Sequence, residues 1–315
     1  MVLLRRKSPN DRIASGTDRC DTPLLKEPGR ARWRPRLLNS EDVPTWYAHN
    51  AYLRTGYRPV TPSTRLCFES LAYVHNETVN VYSHLIPAVV ALLSNGLLYV
   101  YFAASFPRAS WSDQLVFHIY LTTSMICFGI SSTYHTLLCH SPHFAGLWAR
   151  FDYVAIVFQI LGSFISGIYI GFYCEPHLQK LYWLMIGILG LLTGLVVVHP
   201  RLQSKEWRIL RLSTFVATGL SAFAPITHAS SLFPYEQLDQ QAGLRYYYLE
   251  GLVLIIGVLF YATNFPESWK PEYFDIWGAS HQIFHVLVFM AAVLHFYGIL
   301  VAFQWNYENQ RCGPV

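Results

Sequence analysis

The chain has 315 residues, of which 53% are hydrophobic and 13% charged, and its formal net charge is +4. An ordinary soluble domain carries about 25% charged residues, so this composition excludes that class and favours a protein with several membrane spans. The six cysteines include no C-x-x-C pair and predict neither a disulfide framework nor a thiolate zinc site, although Cys174 and Cys312 could meet across the outer face. We expect no nucleic-acid partner.

The first 60 residues are rich in Arg, Pro, Ser and Asp, with a basic run at residues 30–36. Such a composition buries too little apolar surface to offset its ordering entropy, so residues 1–60 are predicted to be a disordered cytoplasmic segment. The basic run would contact anionic lipid at the membrane surface, or serve as a solvated tail that only fixes topology. Residues 61–78 alternate apolar with charged side chains, which predicts an amphipathic helix lying on the membrane.

Seven stretches then reach or approach the roughly 20 apolar residues that cross a bilayer as a helix. Residues 79–303 are therefore predicted to form an all-α domain, a seven-transmembrane helix bundle, followed by a short tail at 304–315. The predicted spans are 79–105, 114–138, 153–173, 181–198, 210–229, 246–263 and 279–303.

Basic residues predict the orientation of these spans. The fourth connection carries four of them within a dozen positions, whereas the connections on the other side hold only isolated ones. By the positive-inside rule the N-terminus is cytoplasmic and the C-terminus extracytoplasmic. Polar residues at the end of the second span and at the starts of the third and seventh then meet at one membrane face. The basic residues are Arg201, Lys205, Arg208 and Arg211, and the polar ones are His135, Asp152, His281 and His285.

The four polar residues predict a zinc site. His281 and His285 are four residues apart, on one face of a helix, and His135 faces them from another span. Three neutral imidazoles with an open fourth position form a common catalytic zinc arrangement. Asp152 could hold a zinc-bound water as base, and the Ser131 hydroxyl, one turn from His135, could contact a ligand, the water or a substrate. A structural zinc ion would need the same three ligands.

A second polar cluster opens the first span, where Glu77, Asn80 and His84 share one helix face. Helix capping, hydrogen bonding between helices, or support of the metal ligands all fit these residues, and we assign them no direct chemistry. Glu250 is an acidic residue inside the sixth span, and Arg245 nearby is its expected partner.

Several separated motifs stand in the same order as in the progestin and adipoQ receptor family, which includes the adiponectin receptors, the fungal zinc-homeostasis membrane proteins and the haemolysin-III-related proteins. The chain resembles that family over residues 63–298. The resemblance implies a seven-helix fold, inverted relative to G-protein-coupled receptors, with one zinc ion held by His135, His281 and His285 beside Asp152 and Ser131. The motifs are Glu77-Thr78-Val79-Asn80, Ser131-x-x-x-His135, Phe151-Asp152-Tyr153 and Ser280-His281-Gln282-Ile283-Phe284-His285.

The resemblance also implies a role in lipid and zinc homeostasis, because family members similar to the adiponectin receptors are linked to ceramide hydrolysis and the fungal members to sterol, lipid and zinc homeostasis. Our first hypothesis is a zinc-dependent hydrolase of a ceramide-like lipid amide. The second is a receptor with structural zinc that responds to an outside ligand, which could be an extracellular protein. A zinc transporter is disfavoured, since the candidate ligands gather at one membrane face. The sequence leaves open whether the plasma membrane or an endomembrane holds the protein.

Overall fold

The computed structural model describes residues 35–309 and Cys312, without the side chain of Lys205. Seven helical segments in this part of the chain are long and apolar enough to cross a membrane, which confirms the predicted all-α class and the count of seven. Two shorter helices are α1 (Thr64–Glu69) and α8 (Tyr235–Ala242). The spans are α2 (Thr78–Ser105), α3 (Trp111–Leu137), α4 (Pro142–Gly171), α5 (Pro176–Val198), α6 and α7 (Arg208–Leu220 and Phe223–Leu232), α9 (Leu244–Thr263) and α10 (Ser280–Glu308).

The third span, α4, begins eleven residues before its predicted start. The Ser141 hydroxyl accepts a hydrogen bond from the Phe144 backbone N–H, and Pro142 occupies the first turn, where its missing N–H costs nothing. The polar residues near Asp152 lower the local hydropathy, so hydropathy alone did not detect these start signals. Asp152 therefore lies in the third turn of α4 and not at its beginning.

The fifth span consists of two helices. α6 ends at Leu220 and α7 begins at Phe223, so that Pro225 falls in the first turn of α7, where a proline fits. After α7 the chain forms the short α8, which ends at Ala242. Gly243 follows it with a φ of 72°. A Cβ on Gly243 would lie 2.8 Å from the Gly298 carbonyl oxygen, so this turn needs glycine both for its backbone conformation and for its contact with α10.

The N-terminal segment departs from the sequence expectation. The basic run up to Arg34 lies outside the described residues, but residues 35–60 are folded, so the prediction of disorder is wrong for them. Tyr47 and Tyr57 are buried together against the end of α3. The composition averaged over 60 residues did not reveal these apolar side chains. They bury enough surface to order the segment.

Both edges of the bundle also differ from the predicted boundaries. The amphipathic stretch at 61–78 contains the short helix α1, and its Leu66 and Cys67 are buried against protein. At the other edge α10 continues through Glu308, so the first part of the predicted tail is helical. Beyond it, a disulfide joins Cys174, which follows α4, to Cys312. The two cysteines thus meet at the end of the bundle where α4 and α10 finish.

Neighbouring spans pack in chain order from α2 to α6, and α10 closes the arrangement by packing against α9, α2 and α4. An aromatic core that includes Phe102, Phe117 and Phe303 fills the disulfide end. At the opposite end, the last turns of α3 lie beside the first turns of α10, under the N-terminal segment. This second end holds the candidate site.

Candidate metal centre

Three histidine side chains meet where α3 ends and α10 begins. His135 comes from the last turn of α3, and His281 and His285 project from the first two turns of α10. The Nε2 atom of His281 lies 3.4 Å from Nε2 of His135 and 3.2 Å from Nε2 of His285. His135 and His285 are buried, whereas His281 keeps partial exposure. The structure thus brings together the three residues that the sequence predicts as ligands.

Hydrogen bonds at the far sides of two rings orient them for coordination. The Nδ1–H of His135 donates to the Glu77 carboxylate over 2.8 Å, and the Nδ1–H of His285 donates to the backbone carbonyl of Asn80 over 3.1 Å. A neutral imidazole that donates from Nδ1 presents a lone pair at Nε2. The two Nε2 lone pairs therefore point toward one position beside His281, an arrangement that a cation stabilises.

The spacing of the nitrogens fits a tetrahedral metal ion. Two imidazole nitrogens at the usual zinc distance of about 2.05 Å from a tetrahedral ion lie about 3.3 Å apart. The observed separations of 3.2 and 3.4 Å match this value, and all three ligand atoms lie within 4.8 Å of one another. The residues fit a metal ion with three protein ligands, of which His281 keeps partial exposure.

Glu77 is the residue that fixes the ring of His135. Its Oε2 accepts from His135 and, over 2.7 Å, from the Asn80 side chain. Burial alone would raise the pKa of the Glu77 carboxyl, but its hydrogen bonds with His135 and Asn80 hold that pKa well below its usual range. The polar cluster at the start of the first span therefore supports the metal ligands, as one of the sequence interpretations expects.

Asp152 and Ser131 lie beside the three histidines. The Asp152 carboxylate lies near His135 and Ser131, and its oxygens are outside the group of three ligand atoms. Ser131 Oγ also lies 2.8 Å from Nδ1 of His84, and the His84 ring stacks on His285 with 3.8 Å between ring centroids. Ser131 therefore contacts a buried imidazole that lies directly behind His285.

Arg58 is a residue of this end that sequence reasoning missed. It is 1% exposed, and its guanidinium donates to the backbone carbonyls of His135 over 2.7 Å and Thr136 over 2.9 Å. The last carbonyls of a helix lack partners within the helix, and a cation there also complements the helix dipole. Arg58 thus holds the end of α3 that carries a ligand. Arg58 lies in a basic, polar stretch of the sequence, and such a stretch does not predict a buried side chain.

The start of α10 is fixed in a similar way by Glu267, which is fully buried. Its carboxylate accepts from the Ser280 backbone N–H over 2.7 Å and from the Asn50 side chain over 3.0 Å. A carboxylate at a helix N-terminus complements the exposed N–H groups of the first turn. Gln282 adds a contact from its Oε1 to the Gly278 N–H at 2.7 Å. These contacts fix the turn from which His281 projects, and the sequence pattern did not reveal them.

Comparison with known proteins agrees with this architecture. Residues 72–296 match the family described as Haemolysin-III related. The chain is 35% identical over 289 residues to the Adiponectin receptor protein of Drosophila melanogaster, covering 92% of this chain and 64% of the fly protein. It is 35% identical over 284 residues to the ADIPOR-like receptor IZH2 of Saccharomyces cerevisiae, covering 89% of this chain and 88% of the yeast protein. Heptahelical transmembrane protein 3 of Arabidopsis thaliana is 33% identical over 313 residues, with 88% and 90% covered. The chain is therefore a multi-pass membrane protein that belongs to the progestin and adipoQ receptor family, also described as haemolysin-III-related.

Proposed function

We propose that the protein is a zinc-dependent hydrolase that cleaves the amide bond of a ceramide-like membrane lipid. The observation that carries this proposal is the convergence of three imidazole nitrogens, from His135, His285 and the partly exposed His281, with the Asp152 carboxylate near His135. A purely structural zinc site is usually closed by four protein ligands, whereas catalytic sites keep three ligands and an open position.

The donor set favours zinc among the common metals. Imidazole nitrogens suit zinc, copper, iron and nickel, and a tetrahedral spacing of three imidazoles is typical of zinc. When bound, zinc acts as a Lewis acid on a carbonyl oxygen and lowers the pKa of a coordinated water to about 7. Among the described residues no thiolate joins the three imidazoles, because the free cysteines Cys67, Cys127 and Cys139 are outside the group of ligand atoms.

Each residue of the site would have its own role in the reaction. Asp152 accepts a proton from the attacking water as its oxygen bonds to the carbonyl carbon of the lipid amide. When the carbon–nitrogen bond breaks, the same carboxyl returns a proton to the nitrogen of the leaving sphingoid base. Ser131 would help to position the nearby carboxylate, and Glu77 would keep His135 in its coordinating orientation.

The disulfide and the distribution of basic residues together support a cytoplasmic position for this site. The Cys174–Cys312 disulfide lies at the end of the bundle opposite the three histidines. Disulfides persist in oxidising compartments, so this end would face outward and the metal end would face the cytoplasm. The basic fourth connection, which includes Arg201 and Arg208, gives the same orientation under the positive-inside rule.

The test uses purified full-length protein in lipid nanodiscs, with zinc measured by mass spectrometry and ceramide hydrolysis followed by release of sphingoid base and fatty acid. We expect product with the wild type and loss of both zinc and product in His281→Ala. Asp152→Asn should keep its zinc but lose activity by about 10²- to 10⁴-fold, since it removes a group that accepts a proton. His143→Ala is the matched control, because His143 is exposed at the same end of the bundle. Zinc-loaded wild type that forms no product would overturn the proposal.

A receptor with structural zinc is the second candidate, and the names of the fly and yeast relatives favour it. In that case an outside ligand would shift the helices, and the zinc ion would hold α3 against α10. Chelation would then lower the thermal stability of the wild type although no hydrolysis product was ever formed. The same zinc and product measurements therefore separate the two candidates.

A further inference from the structure

Four large aromatic side chains project from the connection between α9 and α10. This connection, residues 264–279, consists of turns and bends, and an aromatic residue recurs at every fourth position. The exposed fraction is 45% for Phe265, 65% for Trp269, 76% for Tyr273 and 59% for Trp277. An exposed group of large apolar side chains marks a binding surface more often than an ordinary solvated one. We call these four residues the aromatic ridge.

Contacts along the aromatic ridge join its members around one positive charge. The rings of Phe265 and Trp269 are stacked with 6.3 Å between centroids. The Nζ atom of the exposed Lys270 lies 4.6 Å from the centroid of the Trp269 ring and 5.9 Å from that of Tyr273. A cation near an aromatic face is attracted by the ring quadrupole. Lys270 therefore keeps its ammonium group between two side chains of the ridge.

Buried acidic residues hold the connection in place beneath the ridge. Glu267 is fully buried, and its carboxylate accepts hydrogen bonds from Ser280 and Asn50. Asp275 is also buried and accepts from the Thr55 backbone N–H over 2.7 Å. The carboxylates thus point into the protein while the aromatic rings point away from it, the reverse of the arrangement on a soluble protein. The contacts that fix the connection do not account for the exposed rings.

At its first end the aromatic ridge continues a face of α9 that points to lipid. Within the described residues α9 is the least buried of the seven spans, and its exposed side chains include Leu252, Ile255 and Leu259. An apolar helix face left exposed in a membrane bundle contacts acyl chains. Phe265 follows the last turn of α9, and its ring centroid lies 6.1 Å from that of Phe260. The ridge therefore begins at the edge of the lipid-facing surface.

At its other end the aromatic ridge meets a groove between α2 and α10. Trp277 precedes Gly278, which lines this groove together with Val79, Ile283 and Val286. The groove has a volume of about 210 Å³ and is almost entirely apolar, and Val286 is exposed. Because two membrane spans border it, its open side faces the bilayer. Both ends of the ridge thus join surfaces that acyl chains cover.

We propose that the aromatic ridge inserts into the phospholipid headgroup layer at the metal end of the bundle, where Lys270 binds a lipid phosphate. Trp and Tyr favour this layer because their rings are apolar while their N–H or O–H groups bond to headgroups and water. The methylene stem of Lys270 would lie along Trp269, and its ammonium would meet the phosphate. A protein partner would require the ridge to project into water, whereas both of its ends join lipid-facing surface. Insertion would also fix the depth of the α10 start, which carries His281, in the membrane.

The experiment uses full-length protein that contains fluorotryptophan, in phospholipid nanodiscs, and records fluorine NMR spectra. Trp269→Phe and Trp277→Phe identify the two ridge signals. Spin labels on the lipid headgroup or in the upper acyl chain should abolish both signals, whereas a water-soluble gadolinium chelate should leave them sharp. Trp46, in the N-terminal segment that covers the same end of the bundle, is the internal control and should respond to the chelate instead. Ridge signals that the chelate removes and the lipid labels spare would place the ridge in water and contradict the proposal.

A second measurement tests the phosphate contact. Phosphatidic acid is titrated into the detergent-purified protein, and diacylglycerol with the same chains is the matched probe that lacks the phosphate. We expect a saturable shift of the Trp269 signal with phosphatidic acid alone. The half-saturating concentration should rise about tenfold in Lys270→Gln, which loses one charge-assisted contact. Lys180→Gln, at an exposed position of the disulfide end, should leave it unchanged.

Thermal unfolding checks that each variant is folded. An equal shift with diacylglycerol, or wild-type affinity for phosphatidic acid in folded Lys270→Gln, would exclude the phosphate contact. None of these readouts involves ceramide hydrolysis, so failure of the proposed enzymatic function leaves both measurements intact.

Discussion

Replacing Glu77 tests whether the metal centre depends on the carboxylate behind His135. Glu77 is 6% exposed, and its Oε2 accepts two hydrogen bonds, at 2.8 Å from His135 and 2.7 Å from Asn80. In Glu77→Gln an amide oxygen can still accept from His135, but the charge is lost, and hydrogen bonds to a charged acceptor are about twice as strong as neutral ones. We expect a loss of about 1.4 kcal/mol, which corresponds to about tenfold weaker zinc binding. Glu77→Ala also removes the acceptor, and about 100-fold weaker binding is expected.

The assay is competition for zinc between the detergent-purified protein and a chelator of known affinity, with bound zinc measured by mass spectrometry. Glu69→Gln is the control, because Glu69 is exposed and pairs with the exposed Arg65 one turn away. It should bind zinc as the wild type does. Wild-type zinc affinity in a folded Glu77→Ala variant would refute the inference that this carboxylate orients a metal ligand.

Three further changes test other parts of the argument. Arg58→Met leaves the His135 and Thr136 carbonyls without their partner and should lower the free energy of unfolding by about 3 kcal/mol, whereas Arg54→Met, at an exposed side chain, should change it little in the same thermal scan. Gly162→Ala places a Cβ 2.0 Å from Thr123 Oγ1 between α3 and α4 and should cost about 1–3 kcal/mol, whereas Gly187→Ala meets nothing within 4 Å and should be neutral. Cys312→Ser removes the disulfide and should destabilise the protein by about 2–4 kcal/mol; an unchanged unfolding temperature would argue against that bond.

The sequence predicted the features that depend on local periodicity and on order along the chain. Apolar length alone identifies seven spans, and the four-residue spacing of His281 and His285 places them on one face. His135 joined them because an even number of crossings returns the chain to the same end. The start of α4 was predicted eleven residues late, because hydropathy does not register a Ser141 cap followed by a proline.

Residues that act through contacts distant in sequence could not be predicted in this way. Arg58 binds carbonyls 77 and 78 positions away, and Asn50 binds Glu267 across 217 positions. Neither pair produces a periodic pattern in the sequence. Arg58 and Asn50 each lie in a polar stretch that resembles a solvated loop. Glu250 illustrates the same limit: by sequence proximity Arg245 could pair with it, whereas the fold pairs Arg245 with Asp239 and supplies His295 from another helix to Glu250.

The folded part of the N-terminal segment bears directly on how the metal centre is held. Arg58 binds the end of α3, while Asn50 contacts Glu267, which caps the start of α10, and the Thr55 backbone N–H donates to Asp275 over 2.7 Å in the turn before α10. One short stretch of chain therefore contacts the helix that carries His135 and the turn that positions His281. The distances between ligand nitrogens depend on how these two helix ends lie relative to each other. Residues 50–58 therefore hold the two helix ends that carry the three histidines, although they contribute no candidate ligand themselves, and this role is consistent with their close packing onto the spans.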